Sequence, residues 1–370
     1  MTFKSPTSAY QQAGRSHYPA LDGLRGVAIL LVVLYHNFDF IKQSFFGWLG
    51  VDLFFVLSGF LITTILMNEV DKPFFLQNFY MRRMLRIFPL YYLCLVIFLI
   101  AFPLLGWYNQ ELNYFIQHQV WLWTYLQNWL YSFQLTDDAR MLTHLWSLAV
   151  EEQFYLVWPF LILLIRKPGR LFLVMLLLLL SVMVIRSVIW FQQIEDLNYT
   201  TLYTFTRIDG ICIGSMVALL MRFRPGLIDK NIGLVALFLA ALNFLFFFLN
   251  QADKNGYPFF AFVGYTTFCA MFGLLVHEVV NNSQSIFSKI LSIKPLRFFG
   301  KISYGFYIFH WPIYLMSRKY LFELTNSRLL TALLATGAAL LVSVISYYYF
   351  ERYFLQLKNK YKHSQLSIVN

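Results

Sequence analysis

Ten apolar runs, each about as long as a lipid bilayer is thick, occupy most of this sequence. Short polar segments separate them. A helix that crosses a membrane needs about 20 apolar residues, and every run is close to that length. The pattern predicts an all-α polytopic membrane protein with about ten transmembrane helices, at residues 21–40, 46–67, 85–105, 145–165, 171–191, 202–221, 232–249, 259–280, 302–321 and 329–350.

The composition excludes the main soluble alternatives. Hydrophobic residues make up 59% of the 370 residues and charged residues only 13%, whereas a soluble domain carries about 25% charged residues. So little polar material could not cover the surface of a soluble globule, which excludes an ordinary cytoplasmic enzyme, a disordered chain and a fibrous repeat. The first apolar run could be a signal peptide or a retained helix. It contains Arg25 and His36 and lacks an A-x-A cleavage site, so we interpret it as a retained helix.

The net charge of +11, from 29 Lys and Arg against 18 Asp and Glu, indicates orientation. In a soluble protein such an excess would point to nucleic acid, but membrane proteins collect Lys and Arg in their cytoplasmic segments. With the N-terminus inside, 20 of the 29 basic residues fall in inner segments, 6 in outer segments and 3 within apolar runs. We therefore predict that both termini are cytoplasmic and that nucleic acid is not a partner.

The chain divides into three parts. We expect a cytoplasmic N-terminal segment at 1–20, one membrane domain at 21–353 and a cytoplasmic tail at 354–370. Residues 106–142 interrupt the domain with a Trp- and Tyr-rich stretch that is too polar for a spanning helix. We interpret it as an extracytoplasmic aromatic-rich loop or a re-entrant helix, because indole rings prefer the headgroup zone. Its aromatic faces would suit sugar stacking as well as a plain interfacial belt. If it spans the membrane, the C-terminal half of the topology inverts.

Ionisable residues inside spans are costly and indicate function. The first run carries Arg25 and His36, eleven residues apart. That spacing places both side chains on one helix face, about 16 Å apart along the axis, with Arg25 near the inner end and His36 in the outer half. The alternatives are an interfacial arginine that reaches the headgroups and a hydrogen-bonded core histidine.

Two carboxylates are predicted at the depth of His36. Asp52 opens the second run, and a contact with His36 would fix the imidazole tautomer and raise its basicity; a local cap at the helix start is the alternative. Ser147 and Glu151 lie one turn apart in the fourth run. His36, Asp52 and Glu151 could therefore meet in one cavity, and we assign them as candidate catalytic residues.

The remaining candidates are mostly basic or neutral side chains. Arg83 and Arg86 share a helix face at the inner boundary; paired guanidinium groups suit phosphate recognition, although simple anchoring explains them equally well. Together with Ser147, we assign three more residues to substrate binding, Arg207 and Asp209 in the sixth run and His310 in the ninth. Arg186, at the outer end of the fifth run, is predicted at a similar depth, with an only interfacial position as the alternative, and His144 is interpreted as structural or interfacial. No H-x-E, HExxH or CxxC pattern is present, so we predict no metal site.

Four sequence segments together resemble the acyltransferase-3 family of membrane proteins. The resemblance covers essentially the whole chain, including a late segment from Ser303 to Pro312. The family motif R-x10-H falls on Arg25 and His36, R-x-x-R on Arg83 and Arg86, and S-x-x-x-E on Ser147 and Glu151. The four segments are Tyr18–Gly26 with His36, Gly50–Phe60, Arg83–Arg86 and Trp146–Glu151.

The resemblance implies a multi-pass O-acyltransferase of the bacterial cytoplasmic (inner) membrane. Such proteins move an acyl group, often acetyl, from cytoplasmic acyl-CoA to a hydroxyl of a surface or exported polysaccharide. The expected partners are acyl-CoA as donor substrate, a polysaccharide or lipid-linked glycan as acceptor, and membrane lipid, with no permanently bound cofactor. Some family members carry a fused SGNH domain; since the chain ends about twenty residues after its last apolar run, we expect none.

The resemblance also implies roles for the motif residues. Arg25, Arg83 and Arg86 would form a cationic mouth for the polyanionic coenzyme A. His36 would act as a general base oriented by Asp52 or Glu151, or would itself be acylated and pass the group on; the sequence leaves both routes open.

Two other classes compete with this interpretation. A proton-coupled transporter or flippase of a glycan-related substrate also uses intramembrane Arg, His, Asp and Glu, but the two halves lack matching Gly- or Pro-broken helices. A non-catalytic membrane scaffold would not need charges lined up from one face to the other.

Overall fold

The computed structural model describes residues 18–38, 46–107, 110–134, 140–192, 201–224, 226, 232–249, 264–358 and 360–363. Most of the predicted N-terminal segment 1–20 and the end of the predicted tail 354–370 lie outside these residues. The cytoplasmic placement of the two termini stays a prediction.

Every regular element within the described residues is a helix, which confirms the all-α class. The α-helices of at least four residues, in chain order, are α1 (Pro19–Asn37), α2 (Leu49–Glu69), α3 (Phe75–Val96), α4 (Gln110–Gln117), α5 (Gln119–Trp123), α6 (Gln127–Gln134), α7 (Trp146–Ile165), α8 (Pro168–Phe191), α9 (Thr204–Arg207), α10 (Asp209–Phe223), α11 (Ile232–Leu249), α12 (Tyr265–Asn281), α13 (Ile286–Leu291), α14 (Lys294–Thr325), α15 (Arg328–Ser346), α16 (Arg352–Leu357) and α17 (Lys360–His363). A single α-helical turn, Phe102–Leu104, lies between α3 and α4. Short π-helical segments, Ile97–Ala101 and Tyr347–Glu351, continue α3 and α15.

The chain is a multi-pass membrane protein. In the described parts of the chain, six helical stretches are long and apolar enough to cross a bilayer: Pro19–Asn37, Leu49–Glu69, Phe75–Leu104, Thr143–Ile165, Pro168–Phe191 and Arg328–Leu357. Large apolar side chains on these helices are exposed, as at Leu164 and Leu177, and lipid is the solvent that suits them. The other four predicted spans also fall on helices, α9 to α12 and α14, which are shorter or more polar.

The boundaries differ from the predicted ones where polar residues continue or interrupt a helix. The run at 202–221 is divided at Ile208 into α9 and α10, and Arg207 and Asp209 flank the break. The run at 302–321 belongs to α14, which has 32 residues. The described residues of the segment 106–142, which exclude 108–109 and 135–139, form three helices, α4, α5 and α6, of 8, 5 and 8 residues, each too short to cross a bilayer.

The described chain forms two compact units. The first unit comprises the described residues within 1–28, 48–70 and 150–301; the second comprises those within 29–47, 71–149 and 302–370. The boundaries fall within α1, α7 and α14, which contribute residues to both.

In the first unit, α2 and α10 approach each other backbone to backbone. A Cβ atom on Gly59 would overlap the carbonyl oxygen of Ile211, and one on Gly214 would overlap that of Val56. Small residues at a crossing allow this approach, which is how membrane helices gain packing without a hydrophobic driving force. Beside the crossing, Thr63 Oγ1 donates to Ser215 Oγ at 2.9 Å and accepts from Trp158 Nε1 at 2.8 Å, so these buried polar atoms satisfy one another.

In the second unit, tyrosines of α3 anchor the aromatic-rich segment. Tyr91 Oη donates to the Leu122 carbonyl at 2.7 Å, and the Tyr91 and Tyr125 rings stack with centroids 4.1 Å apart. In the same unit, Asn37 Nδ2 donates to Thr336 Oγ1 at 2.9 Å. This bond holds the last turn of α1, which carries His36, against α15.

Candidate active site

A pair of histidines forms the centre of the candidate site, in the second unit. His36, in the last turn of α1, and His310, in α14, place Nδ1 and Nε2 respectively 3.1 Å apart, at hydrogen-bond distance. The ring centroids are 5.1 Å apart. The Trp311 ring lies 5.0 Å from the His36 ring. His310 is fully buried, and His36 is partly buried.

The second nitrogen of His310 is also engaged. His310 Nδ1 lies 2.7 Å from the Tyr307 carbonyl oxygen and 3.1 Å from that of Phe306. Carbonyl oxygens only accept hydrogen bonds, so Nδ1 carries the hydrogen. Both ring nitrogens of His310 therefore have partners within the protein.

A proline explains why His144 approaches the same helix. Pro312 lies inside α14 and has no N–H, so the Ile308 carbonyl four residues earlier loses its backbone donor. His144 Nε2 lies 3.2 Å from that oxygen and donates to it. The ring of His144 also lies 5.4 Å from that of His310. His144 is 97% buried, so its role is structural, as one of the two sequence-based alternatives had it, and it is not interfacial.

Ser147 and Tyr307 complete this neighbourhood. Tyr307 Oη lies 2.5 Å from the His144 carbonyl oxygen and 2.6 Å from Ser147 Oγ. The carbonyl only accepts, so the Tyr307 hydroxyl donates to it, and Ser147 in turn donates to Tyr307. Tyr307 was not a sequence-based candidate; its position three residues before His310, on the same helix face, is the signal that could have found it.

The R-x-x-R arginines lie elsewhere in the second unit. Arg83 and Arg86 are partly buried on α3, and the Arg83 guanidinium carbon lies 6.0 Å from the centroid of the Phe79 ring. Arg86 is an electrostatic neighbour of Glu351, a 92% buried carboxylate whose Oε1 accepts from Ser346 Oγ at 3.2 Å.

Sequence reasoning missed Glu351. It is the acidic residue directly after the last apolar run, at the end of the π-helical segment Tyr347–Glu351, and π-helical turns are frequent at functional sites. An acidic residue at the end of a predicted span is typical of a solvated position. Only the packing of α3, α14 and α15 buries Glu351.

A network of four charges occupies the first unit. Arg207 donates to Asp52 Oδ1 at 2.5 Å, and Arg186 donates to Asp209 Oδ2 at 2.9 Å. All four side chains are at most 5% exposed, and two arginines balance two aspartates. Arg186 also donates to Thr266 Oγ1 at 2.6 Å, which shows that it is a core residue; the interfacial alternative was wrong because its partner Asp209 is brought to it by α10.

The Tyr265 ring covers this network. Its centroid lies 4.1 Å from the guanidinium carbon of Arg207 and 5.5 Å from that of Arg186, and both distances allow cation–π attraction. Asp52 has Arg207 as a hydrogen-bonding partner, and His36 has His310 as one. The orientation of His36 by Asp52 or Glu151 stays a prediction. Arg25, on α1, and Glu151, on α7, are partly buried.

Comparison with known proteins identifies the class. A family model described as an acyltransferase domain matches residues 18–348, which is most of the chain and includes His36, Arg83, Ser147 and His310. The chain belongs to the acyltransferase-3 family, which confirms the resemblance seen in the sequence. This match does not favour the transporter or flippase alternative.

Individual relatives extend the match. The chain is 31% identical to peptidoglycan O-acetyltransferase OatA of Listeria monocytogenes serovar 1/2a, over 91% of this chain and 56% of the relative. It is 30% identical to putative peptidoglycan O-acetyltransferase YrhL of Bacillus subtilis strain 168, over 91% of this chain and 54% of the relative, and 32% identical to O-acetyltransferase OatA of Staphylococcus aureus strain NCTC 8325, over 82% and 52%. The chain spans about half the length of the curated relatives it matches. No solved structure matches it.

Proposed function

We propose that this protein is a membrane O-acetyltransferase. It moves an acetyl group from cytoplasmic acetyl-CoA to a hydroxyl of a polysaccharide or lipid-linked glycan outside the cytoplasmic membrane of a bacterium. The observation that carries the proposal is the His36–His310 hydrogen bond at 3.1 Å, inside a chain of the acyltransferase-3 family. Relatives named peptidoglycan O-acetyltransferases support a glycan acceptor.

The chemistry needs a base because a sugar hydroxyl is a weak nucleophile when protonated. His36 takes the hydroxyl proton as the oxygen attacks the thioester carbonyl. The new C–O bond forms, the C–S bond breaks, and the thiolate of coenzyme A leaves and receives the proton. In the alternative route, the His36 imidazole attacks the thioester first and then passes the acetyl group to the hydroxyl; both routes need a lone pair on a His36 ring nitrogen.

The donor is proposed to bind at the arginines. Arg25, Arg83 and Arg86 would pair with the phosphates of coenzyme A, which is a substrate here rather than a resident cofactor. Glu351, an electrostatic neighbour of Arg86, offsets the charge of this arginine when no donor is bound.

The other candidates keep their predicted roles. Asp52 and Glu151 are proposed as orienting carboxylates. The proposed acceptor-side residues are Ser147, Arg207 and Asp209. Three of these five residues, Asp52, Arg207 and Asp209, are held in ion pairs.

One assay tests the base and the donor site together. Inverted inner-membrane vesicles from bacteria that produce the protein receive labelled acetyl-CoA, and acetate that mild base releases from the vesicle glycans is counted. His36→Ala should lower this transfer by at least about 100-fold, the usual range for a lost general base. Arg83→Ala with Arg86→Ala should mainly raise the apparent KM for acetyl-CoA.

The control is His277→Gln, which changes a histidine of the first unit that contacts Asn281 and should leave transfer near the wild-type rate. Transfer by His36→Ala at the wild-type rate, with equal protein in the membrane, would remove His36 from the chemistry. An unchanged apparent KM in the double arginine variant would remove the arginines from donor binding.

A further inference from the structure

His310 has a hydrogen-bonding pattern of fixed direction. Its Nδ1 faces two carbonyl oxygens, those of Tyr307 and Phe306, at 2.7 and 3.1 Å, and must donate to them. The ring is fully buried, and burial of an imidazolium is costly, so the neutral ring is favoured. In a neutral imidazole the other nitrogen carries the lone pair, so His310 Nε2 is an acceptor.

The direction passes on to His36. Its Nδ1 lies 3.1 Å from His310 Nε2, and since that nitrogen accepts, His36 Nδ1 must carry the hydrogen. The lone pair of neutral His36 is then on Nε2. We infer that His310 is a positioning residue that fixes His36 in the Nδ1–H tautomer, so that Nε2 is the nitrogen that receives a proton or an acetyl group.

The same bond also suits the charged state. When Nε2 takes the hydroxyl proton, His36 Nδ1 keeps its hydrogen and still donates to His310, so no rearrangement accompanies the transfer. A partner that sets the tautomer and orientation of a metal-binding histidine is worth about 10- to 100-fold, and we expect an effect of that order for His36. This inference rests on the proposed function, and it replaces a substrate-binding role for His310, whose two nitrogens both have protein partners.

The rest of the second unit holds the His310 ring in place. His144 donates to the Ile308 carbonyl that Pro312 leaves without a backbone donor. Tyr307, one turn before His310, is held by the His144 carbonyl and by Ser147. The helix segment that presents His310 is therefore fixed on both sides, which is what a positioning role requires.

Nitrogen NMR gives a direct test that does not depend on activity. The protein is labelled with 15N-histidine and reconstituted in bilayers at mildly alkaline pH, and the His36 signals are identified by their loss in His36→Asn among the seven histidines. Protonated and unprotonated ring nitrogens differ widely in chemical shift. The wild type should show His36 Nδ1 protonated and Nε2 unprotonated. In His310→Phe, which keeps a ring but has no acceptor, the two tautomers should mix.

The same variants are then assayed with the inverted vesicles. His310→Phe should lower kcat about 10- to 100-fold at an unchanged apparent KM for acetyl-CoA. His310→Gln should recover most of the rate, because its amide oxygen can accept near the position of Nε2. His277→Gln is the matched control, since it makes the same exchange at a histidine of the first unit that contacts Asn281.

The outcomes separate the two proposals. A His36 Nδ1 that is unprotonated in the wild type overturns the inference, and so does a wild-type rate in His310→Phe while His36→Ala is inactive; in both cases the proposed function stands. Equal losses in His310→Phe and His310→Gln with a normal tautomer would mean that the ring acts by packing. If His36→Ala is fully active, the proposed function fails, whatever tautomer the NMR measurement shows.

Discussion

The ion-paired cluster of the first unit and the histidine cluster of the second bury polar groups in different ways. In the first unit, two arginines and two aspartates form ion pairs at 2.5 and 2.9 Å, so charge is cancelled locally. In the second unit, Ser147, Tyr307, His310 and His36 form directional hydrogen bonds between neutral groups. A cancelled charge network stabilises helix packing, whereas a directional set of bonds leaves a lone pair on a defined atom. An ionisable residue inside a span therefore indicates function only when its partners are known.

The largest effect is expected from breaking an ion pair of the first unit. Arg207→Met leaves Asp52 buried without its partner, and loss of one partner of a buried pair costs about 3–5 kcal/mol. We expect a large fall in the unfolding temperature in detergent. The double variant Asp52→Leu with Arg207→Met should recover most of it, because apolar residues of similar volume often replace a buried pair without loss.

The double variant also tests Asp52 in catalysis. If it is folded and transfers acetyl groups normally, Asp52 serves packing only, and the contrast between the units is complete. If it is folded but inactive, while His277→Gln is active, the carboxylate takes part in the chemistry and the contrast fails. Equal instability of the single and double variants would mean that the unpaired Asp52 is not the cause of the loss, and that the ion pair or the other contacts of Arg207 stabilise the fold.

An intermediate effect is expected where helices touch through glycine. Gly214→Ala places a Cβ on the Val56 carbonyl oxygen, and such overpacking costs about 1–3 kcal/mol. Gly337→Ala is the matched control, since a Cβ there meets nothing within 4 Å and alanine favours a helix over glycine by about 1 kcal/mol. Thermal unfolding should shift down for the first and stay level or rise for the second. A fall of equal size in both would contradict the close approach of α2 and α10.

The smallest effect is expected in the hydrogen bonds of the second unit. Ser147→Ala removes the donor to the Tyr307 hydroxyl, which still has the His144 carbonyl as its acceptor, so stability should fall by about 1 kcal/mol. Ser181→Ala, at an exposed serine bonded to its own helix at Leu178, should show no change. Loss of all transfer in Ser147→Ala at near-normal stability would mean that this hydroxyl contacts substrate.

Much of the fold follows from local pattern. Wherever the structure describes them, all ten predicted spans fall on helices, because apolar length and period are properties of the chain itself, independent of its neighbours; residues 39–40 and 259–263 of these spans lie outside the described residues. Boundaries were less predictable, since α14 extends well beyond its apolar run and Ile208 divides the sixth one. Those changes depend on where polar side chains such as Arg207 and Asp209 find partners, which one sequence does not reveal.

The candidate residues show the same division. The sequence alone determined the class of protein and the spacing that puts Arg25 and His36 on one face of a helix. It also indicated three residues of the candidate site in the second unit, His36, Ser147 and His310. Only the tertiary structure decided which side chains lie together: His310 beside His36, Arg207 beside Asp52, and Glu351 near Arg86. The physical reason is that hydrogen bonds and ion pairs act over about 3 Å, so their partners depend on how distant helices pack, whereas a helix is specified by its own residues.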